Sequence, residues 1–483
     1  YKNPPDFLLG TVDKFAGVPF TERAGEIFGA AREKGVKRSP PSLIIQDELH
    51  LISGPLGTLA SVYEAAFDTL IKQYQSHIGL PPVGAKYVAS SATVRDSEKQ
   101  IQRLMGRGAQ IFPPRGMRSD DSFFAREDRR SDFARLYVGL MPQGVRATTA
   151  AHWTSAALLQ AVRYVGESKL SSREEVDFLW SLLCYCNSKR ELGLINGAVA
   201  QEITERQRVY GSRQNFNDEY YEQFKKQEVS SEAVKDVSAT RSGLLVGVVQ
   251  RTDSPDVSAS RKVVDFVPCT NMISVGVDID RLGLMLVNGQ PKTTAEYIQA
   301  TSRVGRNPDK QGPGLVVTLY SPAKPRDRSH YEYFKNYHSS LYRLVEPNSV
   351  TPGSLRALRR AAHAAVVTVV RHGVTNMSNN DAASTFDSNS TDIKKILEQL
   401  QTRLLNAYTA DDDYERGVIQ HRLREVVNEW EEWAAQGLRC YAPGGKNEPG
   451  LLKNTVQPAA SDMGWLTNRS MRGVDVEVPG KVR

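Results

Sequence analysis

Cysteine is scarce in these 483 residues: Cys184, Cys186, Cys269 and Cys440 are the whole set, with no C-x-x-C pair and no histidines at zinc-ligand spacing. That argues against a disulfide framework and a zinc site, and predicts reduced, mostly buried thiols in a cytoplasmic protein. No apolar run reaches the ~20 residues of a membrane span, and the first residues lack a basic stretch followed by an apolar one. Nothing therefore points to secretion or to a membrane. Neither sign of charge dominates, since 62 basic against 55 acidic side chains leave +7. The resulting pI near 9.0 suits a polyanionic partner without demanding one.

What is present is ample core material: 40% of the residues are apolar, and the length corresponds to roughly three domains of ~150 residues. The pattern predicts an α/β protein. Pro5 to Thr11 reads as a strand feeding a loop, Leu43 to Gln46 as a buried strand and Lys86 to Ser90 as a third. Between the last two, Leu56, Leu59, Val62, Tyr63, Ala66 and Leu70 recur at helical spacing, and strand–helix–strand order implies a parallel sheet. A charged stretch, 115–135, reads as a linker after a first domain at 1–114. A second α/β domain follows at 136–345, with strands expected at Phe178 to Cys186, Leu244 to Gln250, Val263 to Pro268, Leu284 to Val287 and Gly314 to Leu319. Glu202 to Ser242 reads as polar surface helix and loop. Residues 346–440 form a helical region, with one face marked by Leu355, Leu358, Ala362, Ala365, Val366 and Val369 and a long amphipathic segment from Ile396 to Trp433. Between them Met377 to Thr391 reads as a loop. The tail, 441–483, is rich in loops, with a last short strand near Val474 to Val478.

Four signals carry chemistry, and their order matters more than any one alone. Asp47 and Glu48 end a buried strand, at the sheet edge where open parallel sheets bind ligands. In nucleotide hydrolysis one carboxylate holds the magnesium shell and the next orients the attacking water, roles that suit Asp47 and Glu48 in turn. Alone, an acidic turn is as often plain surface. His50 is placed to couple this site to Ser91 and Thr93 at the end of the neighbouring strand. Arg303 and Arg306 lie three apart on a predicted helix, able to clamp a γ-phosphate, with Gln299 four residues before Arg303 on the same face. Thr270, Asn271 and Gly276 form a strand-to-loop passage suited to close approach by a phosphate backbone. Asp278 is a candidate for the nucleotide ribose or for linkage to the arginines, and otherwise a helix cap. Asn187, Ser188 and Lys189, with Arg190, offer an amide, a hydroxyl and cations to a strand, and Thr11 and Asp13 do something similar near the start. From Lys324 to Arg343 cations alternate with rings, a pattern shared equally by single-strand stacking platforms and ordinary amphipathic helices. A phosphate-cradling G-x-x-x-x-G-K-[ST] loop is missing: Gly445-Lys446 is followed by Asn447, and Gly480-Lys481 by Val482. Either the chain begins inside its first motor domain, the reading favoured here, or ATP is not bound in the usual way.

At these motifs the chain resembles superfamily-two helicases with two RecA-like parallel-sheet domains, the first incomplete at its N-terminus. More narrowly, Leu43 to Gly57, Gly289 to Gln299 and Pro325 to Glu332 are similar to the DrmA helicases of DISARM anti-phage systems. The resemblance covers most of residues 1–372, and extends to Ser470-Met471-Arg472. It implies an ATP-dependent, magnesium-requiring motor on single-stranded DNA, working beside a DrmB-like partner in a prokaryotic cytoplasm. Ala300 departs from the pattern, standing where many relatives carry arginine, so phosphate contacts fall to Arg303 and Arg306. Two other readings stay open: a catalytically silent DNA-binding scaffold that docks a partner and senses DNA ends, and a related repair helicase.

Overall fold

A computed structural model describes residues 4–30, 38–91, 97–114, 135–167, 172–198, 202–203, 205–206, 264–270, 279–306, 312–346, 349–443, 448–453, 463–467 and 469–471. The chain divides into two compact units, one formed by 1–114 with 347–483 and the other by 115–346. The helical region expected to stand apart therefore packs with the first stretch of chain.

In the first unit, strand β1 (Leu43–Gln46) pairs in parallel with β2 (Lys86–Ala89), Leu43 opposite Lys86 and Gln46 opposite Ala89. The Gly54–His77 helix joins them, as parallel pairing requires. That helix packs against Leu355–Gly373, which lies against Thr391–Leu405 and Asp413–Ala435. The Leu355–Gly373 helix is buried on nearly every side along a run of Ala361, Ala362, Ala364, Ala365, Val366, Val367, Val369 and Val370. A helix buried all round from Ala361 to Gly373 belongs at the centre of its unit, and its small side chains allow neighbours to approach closely.

Polar ties hold this centre. Asp68, fully buried, receives Lys72 Nζ at 2.9 Å, Arg403 Nε at 2.8 Å and the Arg107 guanidinium. Arg371 Nη1 donates to Pro19 O at 3.0 Å, and His372 Nε2 lies 3.0 Å from Val18 O, docking the 3-10 run Val12–Phe20 onto the helix. Upstream of that run the expected strand is absent. Residues 4–11 are irregular, with Phe7 76% and Leu9 87% exposed. Pro4 and Pro5 lack the N–H that a ladder needs. Ile396 to Trp433 divides into two helices around 406–412, and Met377 to Thr391 holds the 3-10 turn Asn380–Thr385.

The second unit is a five-stranded parallel sheet in the order β3 (Arg135–Leu140), β7 (Gly314–Leu319), β6 (Leu284–Asn288), β4 (Leu182–Cys186), β5 (Phe266–Cys269). Alternate residues enter two cores: Leu183, Tyr185, Met285 and Val287 pack with the Thr294–Thr301 helix, and Leu182, Cys184, Leu284 and Leu286 with Ala147–Glu167 and Lys189–Ala198. Burial on both faces explains the unbroken apolar runs. β3 lies where a linker was expected to end, and Phe178 and Leu179, the start of an expected strand, close the helix Arg173–Leu179, which a Ser172 capping box opens. The strands expected at 244–250 and 474–478, and most of 202–242, lie outside the described residues. All four cysteines are buried and free of disulfides.

Glu64, on the long helix, accepts from Gln46 Nε2 at 2.9 Å and Tyr87 Oη at 3.2 Å. Burial pushes its pKa up to about 7, opposed by Arg403. The folded state thus binds this proton more tightly than the unfolded chain, so stability falls as pH rises from about 4.5 towards 7. Glu64→Gln is expected to flatten that part of the stability–pH curve in urea denaturation; an unaltered slope assigns the dependence to other groups.

Candidate functional site

The parallel register of β1 and β2 sets Asp47 beside Ser90. Ser90 N donates to Gln46 O at 3.0 Å, and Leu49 N to Ser90 O at 2.8 Å. Ser90 Oγ and Glu48 N, the latter at 2.9 Å, both donate to Asp47 Oδ1. Oδ2 has no partner among the described residues and Asp47 is exposed, which fits a carboxylate that reaches a magnesium ion through its water shell.

Glu48 then turns the chain in the left-handed conformation, φ 52° and ψ 48°. Asn376 is the other described non-glycine residue with positive φ, and asparagine tolerates that region where glutamate does not. Such a turn costs on the order of 1–3 kcal/mol and persists only when its surroundings hold it. Here they do: Gln100 Nε2 donates to Leu49 O at 3.2 Å and Ile52 O at 3.0 Å, and Ser53 Oγ to His50 O at 2.9 Å. The conformation brings Glu48 Oε2 to 3.4 Å from His50 Nδ1, which also lies 3.1 Å from Ser91 Oγ. Asp47, Glu48, His50 and Ser91 are thus one cluster. Ser90 and Gln100 were not singled out from sequence; Ser90 stands beside the Ser91 that was.

In the second unit Arg303 and Arg306 are not on a helix. Thr294–Thr301 ends with Ser302 as its C-cap, and both arginines sit in the turn beyond it, around Gly305 at φ 63°. Gln299 is buried in the last turn of the helix. Arg135, assigned to the linker from sequence, braces the turn by donating from Nε to Val304 O at 2.7 Å and from Nη2 to Ser302 O at 3.3 Å. Burial, and then the Arg135 cation, push the Arg306 pKa below its ordinary value. Like charges held in this way favour an anion between or beside them.

The remaining candidates sit at strand ends. Asn187 commits its amide to Asn288 O and Gly289 O, at 2.9 and 3.0 Å, and Ser188 Oγ accepts from Glu191 N at 3.2 Å, so these two tie the β4–β6 edge and cap a helix. Lys189 and Arg190 beside them are exposed. Thr270 is buried at the end of β5. Thr11 precedes the Val12–Phe20 run, and Asp13 Oδ1 accepts from Ser470 Oγ at 2.9 Å. Thr93, Asn271, Gly276 and Asp278 lie outside the described residues. Among the described residues no group of three or more His, Cys, Asp or Glu side chains is placed to hold a metal, and no helix is long and apolar enough to cross a membrane.

Over 463 aligned residues the chain is 36% identical to DISARM protein DrmA of Bacillus paralicheniformis. The chain is a homologue of DrmA. The alignment takes in 89% of this chain and 39% of its DrmA relative, so the chain spans about two fifths of that protein's length. No protein-family model matches the chain. Among solved structures, the DUF1998 helicase MrfA bound to DNA and AMPPNP overlaps 76% of the chain and 42% of its own, at 15% identity and a TM-score of 0.45. Mycobacterium smegmatis helicase Lhr bound to ssDNA and AMP-PNP overlaps 83% and 40%, at 15% identity and 0.43. Overlaps this loose carry no functional conclusion.

In this DrmA homologue the backbone at Glu48 supplies its own test. Glu48→Gly is expected to leave stability unchanged or to raise it by up to about 1 kcal/mol in urea denaturation, because glycine adopts positive φ freely. A marked loss would show instead that the carboxylate, through His50, holds the fold.

Proposed function

We propose that the chain forms the hydrolytic edge and strand-binding surface of an ATP-dependent DNA helicase or translocase in an anti-phage defence system of the DISARM type, its two units being RecA-like motor domains. The observation that carries this reading is the strained Glu48 turn, which sets a half-buried carboxylate beside His50 and an exposed one, Asp47, at the carboxyl edge of a parallel pair.

Asp47 holds the hydrated metal, Glu48 orients and deprotonates the attacking water, and His50 relays the state of that turn to Ser91. ATP with its magnesium, when bound, supplies a cleavable phosphoanhydride bond and the charge that shields it. Arg303 and Arg306 contact phosphate oxygens from a turn braced by Arg135, with Gln299 positioned behind them. Gly276 and Asp278 serve the nucleotide. Lys189, Thr270, Asn271, Ser91, Thr93 and Thr11 contact the DNA backbone. Asn187, Ser188 and Asp13, engaged in local bonds, shape the loops that do so. A DrmB-like protein is the proposed partner.

The test is Glu48→Gln in the full-length protein that carries this chain. ATP turnover is expected to fall at least about a hundredfold, within the range for loss of a general base, while nucleotide binding persists. Unchanged turnover removes Glu48 from the mechanism.

A further inference from the structure

Beyond β7 the chain makes three short helical pieces, Pro325–Glu332, Phe334–Ser339 and Leu341–Leu344. Their inward side is firmly seated. Asp327, fully buried, accepts from Gln290 N at 3.1 Å and Ser321 N at 3.0 Å. Tyr337, also buried, accepts from Gln290 Nε2 at 3.0 Å and meets the His330 ring edge-on at 4.7 Å. An amphipathic segment that served only the core would bury its rings on that side.

The outward side differs. Tyr333 is 63% and Tyr342 75% exposed, and Arg326, Arg328, Lys335 and Arg343 are exposed around them. Among the described residues no acidic group pairs with Arg326 or Lys335, and Asp327 between them in sequence is buried and turned to the core. Arg328 is the cation that an acidic neighbour does meet, Glu332 at 3.0 Å. Between the pieces runs an open groove of about 360 Å³, lined by His330, Tyr333, Tyr337 and Leu344 with Ser329 and Asn336 as polar groups. The same surface adjoins the carboxyl edge of the sheet, through Lys324 Nζ at 3.4 Å from Glu191, on the helix that Lys189 begins.

We propose that residues 324–344 form a stacking platform for single-stranded DNA, with Tyr333 and Tyr342 receiving unpaired bases and the surrounding cations following the phosphates. The proposal rests on the DNA-motor reading above and adds to it a ligand surface. Rings stack on any base, so the platform tolerates sequence, and it requires an unpaired strand because bases in a duplex keep their faces covered. A protein partner that used these rings would need a matching acidic surface; DNA meets both the rings and the charge with one chemistry.

The experiment is fluorescence anisotropy of labelled oligo-dT, and of a blunt duplex, with the full-length protein that carries this chain and its variants at one salt concentration. Tyr333→Ala and Tyr342→Ala are each expected to weaken oligo-dT binding by roughly tenfold, in keeping with alanine replacement of stacking rings. Tyr→Phe at either position should retain the affinity, and duplex binding should be unchanged. Unaltered oligo-dT binding by the double alanine variant, with Lys189→Ala still weakening it, would overturn the platform and leave the motor reading standing. Loss on Tyr→Phe equal to that on alanine would also overturn it, by assigning the contact to the hydroxyl. A full-length protein that binds no DNA at all would sink the platform and the motor reading together.

Discussion

Parallel pairing is the constraint from which the positions of the site residues follow. Parallel neighbours cannot be joined by a tight turn, so the chain must cross a sheet face between strands, and all carboxyl ends emerge along one edge. In the first unit that edge carries Asp47 and Glu48 beside Ser90 and Ser91. In the second it carries Asn187, Gly289, Thr270 and the turn before Lys324. Residues far apart in sequence become neighbours because the strands they follow run the same way.

The first unit spends stability at that edge and recovers it elsewhere. A glutamate in the left-handed region is costly, and Gln100, Ser53 and the Ser90 backbone hold it there. Behind them lies a large apolar centre around the Leu355–Gly373 helix, linked to the long helix under the sheet by the buried Asp68 with Arg403, Arg107 and Lys72. Removing Asp68 costs about 3–5 kcal/mol, because Arg403 is left buried with uncompensated charge. A strained edge on a rigid base is the arrangement expected where geometry serves chemistry rather than folding.

Much of this could be read from the chain before any coordinates. Leu43-Ile44-Ile45-Gln46 and Leu182-Leu183-Cys184-Tyr185-Cys186 are short apolar runs bounded by polar residues, and both are strands; only the second is buried as expected, since Leu43 and Ile45 are 49% and 62% exposed on a sheet of two described strands. The Gly54–His77 helix shows in its spacing, and His50 and Ser91, marked as ends of neighbouring strands, meet at 3.1 Å. What escaped had physical causes. Phe7, Leu8 and Leu9 are apolar enough for a strand, yet periodicity does not reveal that prolines precede them and that no described strand pairs with them. β3 follows a charged stretch that reads as linker, which hid both the strand and the bracing role of Arg135. Arg303 and Arg306 fit helical spacing, but Gly305 takes positive φ and the helix has already ended. Long-range packing, such as that of the late helices onto residues 1–114, leaves no mark in local pattern at all.

Two parallel-sheet units carry at their carboxyl edges, respectively, a carboxylate pair and a set of cations, amides and hydroxyls, which the proposed account assigns to phosphoryl chemistry and to phosphate and strand. The most direct measurement is ATP turnover by the full-length protein carrying this chain, with and without single-stranded DNA and with any co-purifying partner present. The account predicts turnover that single-stranded DNA stimulates. Retained DNA binding with no turnover would contradict it and make the chain part of a silent DNA-binding scaffold.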